Sequence, residues 1–477
     1  MESHLQLHVV MLPWFAFGHM IPFFLLSVVL AKAGIRASFI STRKNIQRLP
    51  RVPSNLEHLL KFVEFQLPAV DGLPEGAEAT IDIAMDQIQY LKVSYDRLSE
   101  QFKNFISNEA PQVIIQDFAP HWTVDIAREF GVRQIMFSIF SSVFWAFFGP
   151  LEYLVEGEGL REHWPSAESL TTLHKWVDFP STVVIRMHEA KDFFAGAFGQ
   201  NASGFTDVER LALVVGGCEA VAVRSCRELE GEYLDLLEKL YRKPVIPIGL
   251  LPPAPPPCGK RENTGGDEDK IFKWLDGQNV KSVMFAAFGS EVKLSKDQVH
   301  EIAYGLELSK LPFLWALRKP TWALNDDDES ILPPGFLSRT ASVGMVHMGW
   351  APQWGILAHP SIGGFLCHCG WGSIVENLQH GHVFVVLPLI IDQGLNARFL
   401  VEKGLAVEVE RNLSDGSFKG EDVAKASRKG MVEKEGESIR VRANEMKSMF
   451  VKDDYYIDAF VGYLKRDLVV KKDISPP

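Results

Sequence analysis

The chain has 477 residues, 47% hydrophobic and 23% charged, a balance that suits two folded domains and argues against disorder as the main state. A formal net charge of −11 argues against a nucleic-acid partner, because nothing here would neutralise a run of phosphates. The cysteines Cys218, Cys226, Cys258, Cys367 and Cys369 are sparse and odd in number, which excludes a disulfide framework and points to the reducing cytoplasm.

Residues 9–31 form an apolar stretch, but no Lys or Arg precedes Lys32, so the basic start of a leader peptide is missing. Pro13, Gly18, His19 and Pro22 divide the stretch into pieces too short to span a bilayer, and no other segment reaches that length. The expectation is a strand at 8–13, a loop, a helix closed by Gly34, and no membrane insertion. RASFIST follows as a strand. The rhythm returns at PQVIIQDF (111–118), TVDIAREFG, VRQIMFS and EAVAVRS (219–225). Strands separated by helical segments indicate parallel pairing through right-handed crossovers.

Residues 251–270, LPPAPPPCGKRENTGGDEDK, have linker composition and mark a domain boundary. The expected division is 1–250, a linker at 251–270, a second domain at 271–455, and a terminal helix at 456–477 packing back on the first. Beyond the linker the alternation restarts with VKSVMFAAFGS, the helix SKDQVHEIAYGLELSK, and the strands PFLWALR, IGGFLCH and VFVVLP. The fold class is therefore α/β, two Rossmann-like parallel sheets facing across a cleft. Ligands in such sheets bind outside the carboxyl ends of the strands.

That rule selects the candidate residues. His19 lies after the first strand, placed for general-base chemistry, or else for capping or for packing beside Phe17. Asp117 ends PQVIIQ and could orient an imidazole or cap the following segment. Cys369-Gly370-Trp371-Gly372-Ser373 turns from a strand into the helix SIVENLQHG, where free N–H groups and the helix dipole favour an anion. His368 and Ser373 could add donors, although Ser373 also suits a plain cap. Glu376 could bind a ribose diol or complete a capping box. Cys367-His368-Cys369 does not suit zinc, because alternate residues of a strand face opposite ways and no CxxC pair exists. A dinucleotide fingerprint fails for want of a third glycine at Val375.

Together these residues resemble the signature box of plant family 1 glycosyltransferases, the UDP-sugar-dependent group. Trp350-Ala351-Pro352-Gln353 opens the box, His359-Pro360 follows, and Asp392-Gln393 closes it. The resemblance extends to Phe17-Gly18-His19 and Phe288-Gly289-Ser290, across nearly the whole chain. It implies a GT-B fold, with acceptor in the N-terminal half and donor in the C-terminal half. By motif, Trp350 stacks on uracil, the backbones of Ala351 and Gln353 bond its edge, and Glu376 holds the ribose. Ser290, His368, Ser373 and the helix start hold the diphosphate, while Trp371, Asp392 and Gln393 meet the sugar. His19 is the implied base, Asp117 its charge partner, and Ser141 a looser candidate for a sugar contact. Gly372 departs from the family's usual Asn, so an amide contact to the donor is lost while backbone approach to phosphate is kept.

The resemblance is to a branch that extends glycosides. It implies inverting transfer of a hexose, by family habit glucose, onto a sugar hydroxyl of a terpenoid or flavonoid glycoside. No metal or cofactor is expected beyond the UDP-sugar co-substrate; Asp326-Asp327-Asp328 reads as a solvated loop. A monomer is the default expectation. Three alternatives remain: UDP-rhamnose as donor, a binding protein without turnover, and an oxidoreductase, which lacks a fingerprint. The aromatic run at 137–154, with Phe193, Phe194 and Phe198, serves either helix core or an acceptor pocket.

Overall fold

The computed structural model describes residues 6–253, 267–324 and 327–470. Residues 254–266, which hold most of the expected linker and Cys258, lie outside the described residues, as does Asp326. The chain divides into two compact units, Met1–Ser169 with Phe194–Leu251 and Met449–Pro477, and Leu170–Phe193 with Pro252–Ser448. A segment of the N-terminal half, residues 170–193, groups with the second unit, and the last segment groups with the first.

The first unit is built on seven parallel strands, β1 (His8–Leu12), β2 (Arg36–Ser41), β3 (Leu60–Glu64), β4 (Val113–Gln116), β5 (Arg133–Ser138), β6 (Ala220–Val223) and β7 (Val245–Pro247). Their order is β3-β2-β1-β4-β5-β6-β7. Strands β1, β4 and β6 are buried throughout, as a parallel sheet covered on both faces requires, and this explains their unbroken apolar runs. Helix Phe17–Lys32 begins two residues before His19, so His19 sits in its first turn and not in a preceding loop. The turn can start there because the amides of His19 and Met20 both find the Ala16 carbonyl, at 2.9 Å each. Helix Asp453–Val470 is tied to this unit by Arg133, which donates to the Leu464 carbonyl at 3.0 Å, and by the Tyr456 hydroxyl, which donates to Glu228 at 2.7 Å.

The second unit contains six parallel strands, β8 (Val283–Ala287), β9 (Phe313–Leu317), β10 (Gly344–Met348), β11 (Ile362–Cys367), β12 (Val383–Val386) and β13 (Ala406–Glu408), in the order β10-β9-β8-β11-β12-β13. Trp315, Phe313, Leu366 and Val385 are fully buried at its centre. The segment 170–193 is held to this unit by charge. Arg186 pairs with Glu408 at 2.6 Å, Glu189 with Arg398, and Glu402 accepts from the Thr182 amide at 2.6 Å. Burial raises the pKa of the Glu408 carboxyl, and Arg398 and Arg186 oppose that shift.

In each sheet the connections reverse direction once, between β1 and β4 and between β8 and β11. These are the switch points at which open parallel sheets bind ligands.

Candidate active site

At the first switch point, β1 and β4 lie side by side with Leu12 opposite Gln116, so the residues that follow each strand emerge together. His19 Nδ1 and Asp117 Oδ2 are 2.7 Å apart. A carboxylate can only accept, so Nδ1 carries the proton and the lone pair of the neutral ring lies on Nε2. Asp117 is 1% exposed and does not cap a helix; the next helix, Thr123–Phe130, begins five residues after Phe118 with Trp122 as its cap. Its Oδ2 also accepts from the Trp14 amide at 3.0 Å, and its Oδ1 from the Phe118 amide at 2.8 Å. Three N–H donors thus stabilise a buried anion that would otherwise be costly.

The surroundings hold this pair in place. Tyr95, fully buried, donates to the Pro13 carbonyl at 2.9 Å and meets the rings of Trp14 and Phe15 edge-on. Arg210, also fully buried, pairs with Asp96 at 2.5 Å and donates to the Ala119 carbonyl at 2.9 Å, which fixes the loop after Asp117. Phe140 meets the His19 ring edge-on at 5.2 Å, and Phe118 lies at 5.9 Å, so the imidazole has apolar aromatic neighbours. Ser141 is fully buried and caps helix Ser142–Phe148, its Oγ accepting from the Phe144 amide at 3.2 Å. Phe144, Trp145, Phe147 and Phe148 of the aromatic run lie on that helix, which is buried along its whole length.

At the second switch point, β8 leads to Phe288-Gly289-Ser290 and β11 to His368 and the turn at 369–370. Helix Trp371–His380 is capped by Gly370 with no side-chain bond. Ser373 is therefore not its N-cap, and Glu376 lies too far along for a capping box; the first-turn amides have no acceptor within the helix itself. Gly289 and Gly370 approach the His368 ring so closely that a Cβ on either would come within 2.6–2.7 Å of it, and Gly289 has φ +71°. Burial drives the His368 pKa down to about 4 against a weaker opposing effect of the Ala287 backbone, so the ring is neutral near pH 7. A neutral imidazole placed there can donate one N–H to an oxyanion without charge of its own.

Glu376 accepts from Gln353 Nε2 at 2.7 Å, and the same amide lies 3.3 Å from Ser373 Oγ, which joins the opening of the box to helix Trp371–His380. Trp350 is 74% exposed, a broad face open for stacking, and the Arg318 guanidinium lies 5.8 Å from its ring centre. Arg318 also donates to the Ser290 carbonyl at 2.9 Å. Gln393 Oε1 accepts from the Leu389 and Ile390 amides at 2.9 Å each, so this oxygen braces its own loop. Asp392 Oδ2 accepts from Asn396 at 2.6 Å. Trp371 is buried in the first turn of the helix, and Ala351 and Gly372 are half-buried.

Arg318, Arg210, Tyr95 and Asn396 were not singled out in the sequence. Arg318 carried a usable signal, since it follows the carboxyl end of β9. Arg210 and Tyr95 carried none, because their roles depend on partners distant in the chain, and Asn396 reads as an ordinary helix residue four positions after Asp392.

Two parallel-sheet units, each with a polar cluster at its switch point, have the architecture of the GT-B fold class. Solved structures with this fold include a UDP-glucosyltransferase from Polygonum tinctorium, 26% identical with a TM-score of 0.75, covering 96% of this chain and 99% of that one. The Glycyrrhiza uralensis enzyme UGT73P12 is 22% identical with a TM-score of 0.78, covering 98% and 97% respectively. Residues 268–434 match the family described as UDP-glucoronosyl and UDP-glucosyl transferase. UDP-glycosyltransferase 91C1 of Arabidopsis thaliana is 41% identical over 462 residues, 96% of both chains. Soyasaponin III rhamnosyltransferase of Glycine max is 38% identical over 96% of both. The chain belongs to the plant UDP-glycosyltransferase family.

Proposed function

We propose that this enzyme transfers a hexose, with inversion, from a uridine diphosphate sugar to a sugar hydroxyl of a plant terpenoid or flavonoid glycoside. The observation that carries the reading is the buried His19–Asp117 pair, 2.7 Å apart at the first switch point. In the proposed step the acceptor hydroxyl oxygen bonds to the anomeric carbon as the bond from that carbon to the UDP oxygen breaks. His19 Nε2 takes the hydroxyl proton, Asp117 stabilises the imidazolium, and UDP leaves with the electron pair. His368, Ser290, Ser373 and the amides of helix Trp371–His380 are the donors that meet the charge on the diphosphate. Trp350 and Glu376 are assigned to uracil and ribose, and Asp392 and Gln393 to the sugar. The step calls for no metal ion. Buried free thiols at Cys218, Cys226, Cys367 and Cys369 agree with a cytoplasmic location.

A glycoside acceptor is supported by the activities for which relatives are named, among them a cyanidin 3-O-galactoside 2''-O-xylosyltransferase of Actinidia chinensis, 35% identical over 95% of this chain. The soyasaponin relative is named as a rhamnosyltransferase, which favours UDP-rhamnose as the second reading. The test is incubation with UDP-glucose and with UDP-rhamnose against a panel of flavonoid and triterpenoid glycosides, read by product mass and UDP release. Addition of a hexose mass from UDP-glucose supports the first reading, and of a deoxyhexose from UDP-rhamnose the second. Under the same conditions His19→Ala abolishes product while retaining UDP affinity; an unchanged rate removes His19 as the base.

A further inference from the structure

Two loops of the second unit carry backbone that side-chain-bearing residues rarely adopt. Cys369, just before the cap of helix Trp371–His380, has φ +69°, and Ile391, just before Asp392, has φ +52°. Such conformations persist only where neighbouring groups over-determine them. One side chain reaches both loops. Asn396, fully buried in helix Gln393–Glu402, donates from Nδ2 to the Cys369 carbonyl at 3.1 Å and to Asp392 Oδ2 at 2.6 Å. An amide nitrogen carries two hydrogens, so one goes to each loop. Asp392, although it stands at the N-cap position of that helix, makes no side-chain cap bond.

We propose that Asn396 is a donor-positioning residue, which ties the Asp392 carboxylate to the turn at Cys369 so that the sugar and diphosphate ends of the donor site keep one spacing. The inference rests on the donor-site reading above. Asn396 touches no reacting atom and acts through Asp392. Replacing it leaves the carboxylate with one fewer donor and the strained carbonyl without its partner, and the effect falls on ligands that carry a sugar.

The test is a double-mutant cycle with Asn396→Ala and Asp392→Ala, read by the KM for the UDP-sugar, the Kd for UDP alone and the melting temperature. Asn396→Ala is expected to raise the donor KM about 10- to 100-fold, the range for a lost charge-assisted hydrogen bond, with UDP affinity within about threefold of wild type. The double variant is expected to be no worse than Asp392→Ala alone. Asn396→Asp, which turns a donor into an acceptor facing two oxygens, is expected to lose at least as much as Asn396→Ala. The inference is overturned if the donor KM of Asn396→Ala stays near wild type, if the two losses multiply, or if UDP and UDP-sugar weaken equally. If Asp392→Ala leaves the donor KM unchanged, the donor-site reading itself fails. Should Asn396→Ala not fold, Asn396→Ser, which keeps one donor hydrogen, is read through the same cycle.

Discussion

Replacing Asp117 by Asn tests the proposed chemistry most directly. The two side chains match in size, but the amide removes the charge and turns one oxygen into a donor. Asp117 accepts three N–H groups: His19 Nδ1 and the Trp14 amide on Oδ2, and the Phe118 amide on Oδ1. Whichever way the amide is placed, its NH2 confronts at least one of these donors. If it occupies the Oδ2 position, the imidazole must turn its lone pair to Nδ1, and Nε2 then carries a proton and cannot act as base. If it occupies the Oδ1 position, the Phe118 amide is left unpaired in a buried site, at roughly 1–3 kcal/mol of stability. In either placement the imidazolium formed during transfer loses its counter-charge. With charge centres about 4 Å apart and an effective dielectric near 20, the attraction is roughly 4 kcal/mol, and a charge-assisted hydrogen bond measured by substitution gives about 2–3. A loss of about 2–4 kcal/mol corresponds to a kcat reduced roughly 30- to 1,000-fold. The assay is UDP release at saturating donor and acceptor, with UDP affinity and the melting temperature as controls for the donor site and for folding. A folded Asp117→Asn protein with kcat within threefold of wild type would refute the dyad.

Gly289→Ala places a Cβ 2.6 Å from the His368 ring at a backbone φ of +71°, so the ring or the loop must shift. The expected result is a UDP affinity lowered about tenfold or more in calorimetry; an unchanged affinity would remove His368 from the diphosphate site. Glu230 is fully buried, accepts from the Val143 amide at 3.1 Å and from Ser225, and burial pushes its carboxyl up to about 7. Between its ordinary value near 4.5 and 7 the unfolded chain releases this proton while the folded chain keeps it, so stability falls as pH rises through that window and levels off above it. Glu230→Gln removes that term, and its advantage in unfolding free energy should grow from pH 5 to pH 8, towards roughly 3 kcal/mol, in denaturant titrations at each pH. A difference independent of pH would show that Glu230 does not titrate there.

The strands that flank the switch points were legible because parallel, doubly covered strands leave continuous apolar runs: HVVML for β1, VIIQ for β4, VMFAA for β8. Strands β7 and β13 span three residues each, too short for any period to show, and every residue of β10 is half-exposed. Helix Phe17–Lys32 was legible except at its start, where Gly18 and Pro22 read as a break but fall within the first two turns. The candidate donor residues other than Ser290 stood out because they lie within one run, 350–393. The neighbourhood of His19 and Asp117 was not readable in the same way, since it depends on β1 choosing β4 as a neighbour 103 residues away (from Trp14 to Asp117). The grouping of residues 170–193 with the second unit was hidden for the same reason. Its ion pairs join residues more than 200 positions apart, Arg186 to Glu408 and Glu189 to Arg398.

That excursion bears on how relatives of this enzyme can be recombined. Grafting one parent's second unit onto another by a single crossover near residue 251 would import Arg398, Glu402 and Glu408 but retain the recipient's own 170–193. Unless the two parents happen to match at these positions, the buried Glu189–Arg398 pair would lose one member, at about 3–5 kcal/mol, and the more exposed Arg186–Glu408 pair would be broken at a smaller cost. A hybrid that exchanges residues 170–193 together with 252–448 keeps these pairs native. Seams for shuffling donor preference within this lineage are therefore three, near residues 170, 193 and 251, with a fourth before Met449.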